Sequence, residues 1–223
     1  MKTPNTMASA TTSTLIAAAL CTALLAGCGS PAQSDAPSAA AGNSTSVIQT
    51  EVNAGNESNA YDDSVFFTSA SDYADISSFS AQTIDGKTFT QDDLARADVT
   101  LINFWSPYCG YCVEEMPQIA SWQKTLPQNV QLITVCTDYE LDPVSAQEII
   151  EECGFEGVTL VSGEGDFVDL VNSVAFLPTT IAVDSSGNVV GDALEGMTDD
   201  VPATFGRMVD VALQAQGKAA TNA

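Results

Sequence analysis

Not one of the 223 residues is histidine. That absence removes the commonest general base and the commonest transition-metal ligand. Catalysis by a cysteine–histidine pair is excluded, and so are copper or zinc sites built on imidazole. Basic side chains are nearly as scarce. Lys and Arg number 6 against 29 Asp and Glu, for a formal net charge of −23. Such a chain repels phosphate backbones and anionic headgroups, which argues against a nucleic-acid partner. The apolar stretch from Leu15 to Leu25 is too short to cross a bilayer as a mature helix.

Six cysteines are present, two of them in Cys109-Gly110-Tyr111-Cys112. An apolar run, Val99 to Trp105, leads into this pair, and a helical pattern interrupted by Pro117 follows it. Two thiols at this spacing, where a strand meets a helix, can close a small and reversible disulfide. Cys109 falls just outside the helix start. Free backbone amides there favour a thiolate, so Cys109 is the expected attacking thiol and Cys112, one turn inside, the resolving one. The alternatives are a structural disulfide or half of a metal site. A four-cysteine zinc site needs a second close pair, whereas Cys136 and Cys153 lie far apart in sequence. The expectation is therefore redox chemistry and no metal.

The N-terminus reads as an address. Lys2 supplies a thin positive region, Leu15 to Leu25 an apolar one, and Leu25-Ala26-Gly27-Cys28 follows. This tetrapeptide resembles the bacterial lipobox, which implies a signal peptide over 1–27 and lipidation of Cys28. An ordinary secretory signal or an uncleaved anchor is the alternative. Cys21 lies in the apolar region and would leave with it. Residues 28–77 are expected to hold a lipid-anchored, disordered Ser/Ala/Asn/Gly-rich tether to about Ala60 and then an unassigned segment. A globular domain is expected over 78–216 and a tail over 217–223.

Within 78–216 the elements alternate. Phe79 to Ile84, the turn Asp85-Gly86 and Lys87 to Phe89 read as a hairpin. Thr90 with Asp93 reads as a capping box. Strands are expected over Val99 to Trp105 and Val130 to Cys136. Asp142, Pro143 and Gly154 bracket a helix. Thr159 to Val161 reads as a short strand, Gly163-Glu164-Gly165-Asp166 as a turn plus helix cap, and Asp166 to Val174 as a helix. Thr180 to Val183 and Val189 to Leu194 read as a second hairpin, and Pro202 to Gln216 as the last helix. The pattern predicts an α/β fold with a mixed central sheet flanked by helices. Ala146, Ile149, Ile150 and Cys153 share one helical face, which makes Cys153 a small buried hydrophobe. It would stand too far from Cys136, at the end of its strand, for a second disulfide.

Asn103-Phe104-Trp105, Cys109 and Cys112, Glu115-Met116-Pro117 and the distant Leu177-Pro178-Thr179-Thr180 together resemble the TlpA/ResA-like branch of thioredoxin-fold proteins. The resemblance covers about Ser78 to Gln216, including an αβ insertion around Asp142 to Cys153. It implies that Pro178 is a cis-proline opposite the dithiol and that the Leu177 backbone pairs with a substrate peptide. A trans proline opening a strand is the alternative. It further implies that Trp105 packs beside the dithiol as part of the substrate site and that Glu115 tunes the cysteines and carries a proton. A solvent-facing charge is the alternative for Glu115, and Glu114 is expected to face solvent. Asn103 stands where thioredoxins carry a buried Asp. Tyr108 and the Gly110-Tyr111 pair depart from the family pattern. The implied activity is thiol–disulfide exchange, in the reducing direction, without a cofactor. The implied partners are disulfide-containing exported proteins, apocytochrome c among them, and a membrane thiol-electron transporter as donor. The implied location is the extracytoplasmic face of a membrane. Two rivals remain, a thiol peroxidase and a tethered binding module with a static disulfide.

Overall fold

The computed structural model describes residues 66–221. The proposed signal peptide, Cys21, Cys28 and the tether before Phe66 lie outside the described residues. In chain order the strands are β1 Phe66–Ser69, β2 Phe79–Thr83, β3 Thr88–Thr90, β4 Val99–Trp105, β5 Val130–Cys136, β6 Val158–Gly165, β7 Thr179–Asp184 and β8 Asp192–Glu195. The helices are α1 Gln91–Leu94, α2 Gly110–Gln123, α3 Pro143–Cys153, α4 Asp166–Ser173 and α5 Val201–Ala215.

The described strands form one mixed sheet in the order β1-β8-β7-β4-β5-β6-β2-β3. β4, β5 and β6 run parallel, β7 runs antiparallel to β4, and β2 runs antiparallel to β6. Parallel neighbours need a crossover, which α2 and α3 supply. Every residue of β4 is buried, as expected of a central strand covered on both faces. Its side chains alternate between two cores. Val99, Leu101 and Trp105 join residues of α2, α3 and α5, whereas Ile102 and Phe104 join residues of α1 and α4. The sheet is thus covered on both sides, as the alternation of strands and helices predicts.

Local chemistry sets the element ends. Thr90 and Asp93 form the predicted capping box. Asp142 caps α3 by accepting from the Ser145 amide, and Gly154 ends the helix in the left-handed region. Asp200 caps α5 through the Ala203 amide.

Four features differ from the sequence reading. The sheet begins at Phe66, not near Ser78: β1 pairs with β8, and Tyr73 and Ile76 are buried in the core. Gly187 makes this possible. A Cβ there would lie 2.0 Å from the Ile76 carbonyl oxygen, whose residue's amide in turn donates to the Gly187 carbonyl. Next, Gly163-Glu164-Gly165 is not a turn but the end of β6, paired with β2. Gly163 has no room for a side chain beside the Phe167 ring and the Ser80 carbonyl. Gly165 is the N-cap, and Asp166 instead accepts from the Ser77 and Ser78 amides, pinning the arm that leads into β2. The β7–β8 hairpin is irregular, with a lone bridge Val183↔Val189 before β8 starts at Asp192. Finally, the tail after α5 returns to the head, where the Asn129 carboxamide oxygen accepts from the Thr221 amide at 2.8 Å.

Candidate active site

The C-terminal end of β4 delivers the dithiol. After Trp105 the chain turns about Ser106, whose hydroxyl accepts from the Tyr108 amide and whose carbonyl accepts from the Cys109 amide. Cys109 then caps α2 with its sulfur, which accepts from the Cys112 amide at 3.2 Å. Cys109 and Cys112 are joined by a disulfide, with their Cα atoms 5.2 Å apart. Cys109 is half-buried and Cys112 buried. The outer sulfur therefore sits where the free amides of a helix N-terminus would stabilise it as a thiolate.

Three other segments meet at this end of the sheet. β7 starts at Thr179 opposite Phe104, which places Pro178 level with the end of β4. The Leu177–Pro178 peptide bond is cis. Leu177 and Cys109 pack against the same hydrophobic cluster. The Pro178 carbonyl accepts from the Gly196 amide at 2.8 Å, which ties the proline loop to the segment entering α5. From β5, the Thr137 amide donates to the Trp105 carbonyl, so the 137–142 loop leaves at the same end.

Glu115, one turn inside α2 from Cys112, is 1% exposed. Its Oε1 accepts from the Thr198 amide at 2.9 Å. Burial pushes its carboxyl up to about 7, against the smaller opposing pull of that hydrogen bond. It is not a solvated charge, whereas neighbouring Glu114 is exposed. Thr198 itself is buried and bonds the Thr204 hydroxyl. Nothing local in the sequence marks it, because its partner lies 83 residues away.

Asn103 is also buried, and its Nδ2 donates to the Thr180 hydroxyl at 2.9 Å. Thr180, Asn103, Thr134 and Thr159 lie in register across β7, β4, β5 and β6, all buried. The Thr134 and Thr159 hydroxyls are 2.8 Å apart. This polar row lies under the apolar layer that carries Trp105. Trp105 is fully buried in the cluster that contains Cys112. The reading of Trp105 as a substrate contact needs correction: it supports the dithiol from beneath and offers no surface to a peptide.

Cys136 and Cys153 are both unbonded. Cys136 is buried one strand over from Trp105, and burial pushes its thiol up to about 12. Cys153 is half-buried rather than a core residue, and its thiol donates to the Ile150 carbonyl at 3.4 Å. Among the described residues no group of three or more Cys, Asp and Glu is placed to hold a metal ion. No described helix is long and apolar enough to cross a membrane.

Comparison with known proteins places this geometry. The profile of the Redoxin family matches residues 69–208, more than half of the chain. The thiol:disulfide interchange protein HelX of Rhodobacter capsulatus is 27% identical over 113 residues, which cover 51% of this chain and 61% of HelX. The chain thus spans less than two thirds of that relative's length. The thiol–disulfide oxidoreductase ResA of Halalkalibacterium halodurans is 26% identical over 133 residues, covering 59% of this chain and 73% of ResA. Among solved structures, a thioredoxin-family thiol:disulfide interchange protein from Chlorobium tepidum superimposes with a TM-score of 0.50 at 23% identity, covering 63% of this chain and 96% of that one. The match shows a shared fold. With its mixed sheet, flanking helices and dithiol at a helix N-terminus, the chain has the thioredoxin fold and belongs to the Redoxin family.

Proposed function

We propose that this protein is a thiol–disulfide oxidoreductase that reduces disulfides in other proteins. The observation that carries the reading is the Cys109–Cys112 disulfide at the start of α2, level with the cis-proline loop at Leu177-Pro178. A structural staple needs neither a helix N-terminus nor a half-exposed sulfur.

In the reduced protein the Cys109 thiolate attacks one sulfur of a substrate disulfide. The substrate S–S bond breaks, and its other sulfur leaves as a thiolate that takes up a proton. The Cys112 sulfur, once deprotonated, attacks Cys109 Sγ and displaces the second substrate sulfur. The Cys109–Cys112 bond forms, and two electrons have passed to the substrate. Glu115 is the candidate acceptor for the Cys112 proton. A carboxyl held near neutrality by burial changes protonation in the working pH range. An extended substrate segment would lie along the Leu177-Pro178 loop and pair with the Leu177 backbone. No cofactor enters, because the dithiol carries both electrons. An external dithiol donor, in the fuller reading a membrane thiol-electron transporter, must restore the reduced state.

The fuller reading also places the protein on the extracytoplasmic face of a membrane, tethered by lipid at Cys28, with exported proteins such as apocytochrome c as substrates. Its support is the Leu25-Ala26-Gly27-Cys28 sequence and the persistence of disulfides outside the cytoplasm.

The test is equilibration of the full-length protein with dithiothreitol and glutathione redox buffers, followed by turnover of a protein disulfide under a continuous dithiol supply. Catalysis with a potential at or below that of glutathione supports a reductant. A bond that stays oxidised throughout, with no turnover, would leave only the static-disulfide reading. Faster consumption of peroxide than of disulfides would favour the peroxidase. Arginine placement weighs against that outcome: Arg96 precedes β4 at the far end of the sheet and pairs with Asp93, and Arg207 lies mid-α5 over Phe67.

A further inference from the structure

The charges of the head are segregated along the strands. Five cationic side chains fall among the described residues. Arg96 lies shortly before β4, Lys87 sits in the β2–β3 turn, and Lys124 is the C-cap of α2. Lys218 bonds Asp98, the residue before β4. Arg96, Lys124 and Lys218 stand at the end opposite the dithiol, Lys87 lies on the hairpin at the β3 edge of the sheet, and each of the four is paired with an acid. Arg207 lies on the flank, in the middle of α5 above Phe67.

At the dithiol end, no described residue is cationic. Three segments there carry acids. Glu114 is exposed on α2 beside the cysteines. Asp138, Glu140 and Asp142 lie on the loop that leaves β5. Asp199 and Asp200 precede α5, in the segment tied to the Pro178 carbonyl and to Glu115. The same end exposes large apolar side chains. Tyr108 and Tyr111, on either side of Cys109, are 64% and 67% exposed, and Phe176 on the proline loop is 63% exposed. Leu141, on the loop from β5, and Val144, in the first turn of α3, are 72% and 63% exposed. An apolar collar of this kind around a reactive group marks a contact surface. Its rim of one charge sign selects the partner by steering and by repelling the wrong sign.

Resting on the oxidoreductase reading above, we infer that this end docks a cationic polypeptide segment. Its disulfide cysteines are flanked by Lys or Arg, and an apolar side chain beside them seats among Tyr108, Tyr111 and Phe176. Acidic disulfide segments are turned away. The negative loops act on encounter and on the mixed-disulfide stage, while the chemistry at Cys109 is common to every substrate.

The test uses the full-length protein, reduced with dithiothreitol and desalted, in single-turnover reactions. Two synthetic peptides share one disulfide loop and one Phe beside it, and differ only in carrying Lys or Glu next to the cysteines. Neutral 2-hydroxyethyl disulfide is the third substrate. At 20 mM salt the Lys peptide is expected to react about tenfold faster than the Glu peptide, with the ratio falling below about threefold at 500 mM salt as screening shortens the field. Replacing Phe by Ser in the Lys peptide is expected to slow it severalfold. Glu140→Lys with Asp199→Lys should bring the Lys-to-Glu ratio toward one or invert it. Equal rates for the two peptides at low salt overturn the inference, and so does a ratio that the double variant leaves unchanged. If 2-hydroxyethyl disulfide is not reduced either, the oxidoreductase reading itself falls and the inference with it. Reduction of that compound without peptide discrimination rejects the docking surface alone.

Discussion

Cys109 and Cys112 differ from Cys136 and Cys153 in surroundings, not in residue type. The first pair sits where a strand ends and a helix begins, bonded, with one sulfur half-exposed and capping free amides. Cys136 lies only one strand away, level with Trp105 and in the same hydrophobic cluster as Cys112. Yet it is unbonded and its thiol is pushed up to about 12 by burial. Cys153 hangs half-buried at the end of α3. The contrast shows that thiol reactivity is written by position: a helix N-terminus stabilises the thiolate, and an apolar interior suppresses it.

The sharpest way to break that contrast is to remove the outer cysteine of the first pair and, separately, both unbonded cysteines. Cys109→Ser is expected to abolish protein-disulfide reduction, a loss of at least about 10⁴-fold, because the nucleophile is gone. Cys136→Ala with Cys153→Ala is expected to stay within about threefold of wild type, since neither sulfur touches the exchange path. Comparable losses in both variants, measured as initial rates on folded protein, would end the distinction. Alkylation gives the next largest effect. At pH 7 a thiol with a pKa of about 12 is roughly 10⁻⁵ ionised, and its higher intrinsic nucleophilicity restores only about 10² of that. In the reduced native protein, iodoacetamide should therefore label Cys109 roughly 10³-fold faster than Cys136, and faster than buried Cys112. Mass mapping that finds Cys136 modified alongside Cys109 without unfolding would refute the buried, suppressed state.

Both cysteine environments were partly legible in the sequence. The apolar runs Val99 to Trp105 and Val130 to Cys136 mark central parallel strands, because such strands are buried on both faces. Caps such as Asp142 and Gly154 announce themselves through side-chain and backbone chemistry that acts within a few residues. What stayed hidden depends on distant partners. β1 has four residues and an edge position, and its register with β8 spans Phe66 to Glu195. No pattern of alternation is long enough to reveal it. The Ser162–Gly165 end of β6 is poor in apolar side chains and becomes a strand only because β2 pairs with it. Glu115 stands next to exposed Glu114, so the sequence alone leaves its burial open. The hydrogen bond from Thr198 and the cover of the α5 approach make it an interior acid.

That interior acid allows a stability test of the dithiol side of the comparison. The Glu115 carboxyl lies near 4.5 when unfolded and about 7 in the fold, raised by burial. The folded state therefore binds the extra proton between these values. Below pH 4.5 the residue costs nothing. From there to about 7 the folded state loses stability as pH rises, and above 7 the penalty levels off at about 3 kcal/mol. Glu115→Gln keeps an acceptor for the Thr198 amide and never ionises. Denaturant titrations of the oxidised proteins should show the variant about as stable as wild type at pH 4 and more stable by up to about 3 kcal/mol at pH 8. Parallel stability curves across this range would mean that Glu115 ionises freely in the fold and is no store for a proton.

The smallest expected effect separates the two unbonded thiols from each other. Cys136→Ser places a hydroxyl in a site that is 1% exposed, among Trp105, Cys112 and their apolar neighbours. An unpaired hydroxyl there should cost about 1–3 kcal/mol. Cys153→Ser exchanges a half-exposed thiol for a hydroxyl that keeps the same acceptor, the Ile150 carbonyl. Its cost should stay within about 0.5 kcal/mol, as for a surface position. The difference isolates burial, because the chemical change is the same at both sites. Denaturant midpoints of the two single variants, taken at one pH with the Cys109–Cys112 bond intact, measure it. Equal midpoints would mean that the 136 site relaxes to pair its hydroxyl. The high thiol pKa assigned to Cys136 would then lose its cause, since that value depends on the same unrelieved desolvation.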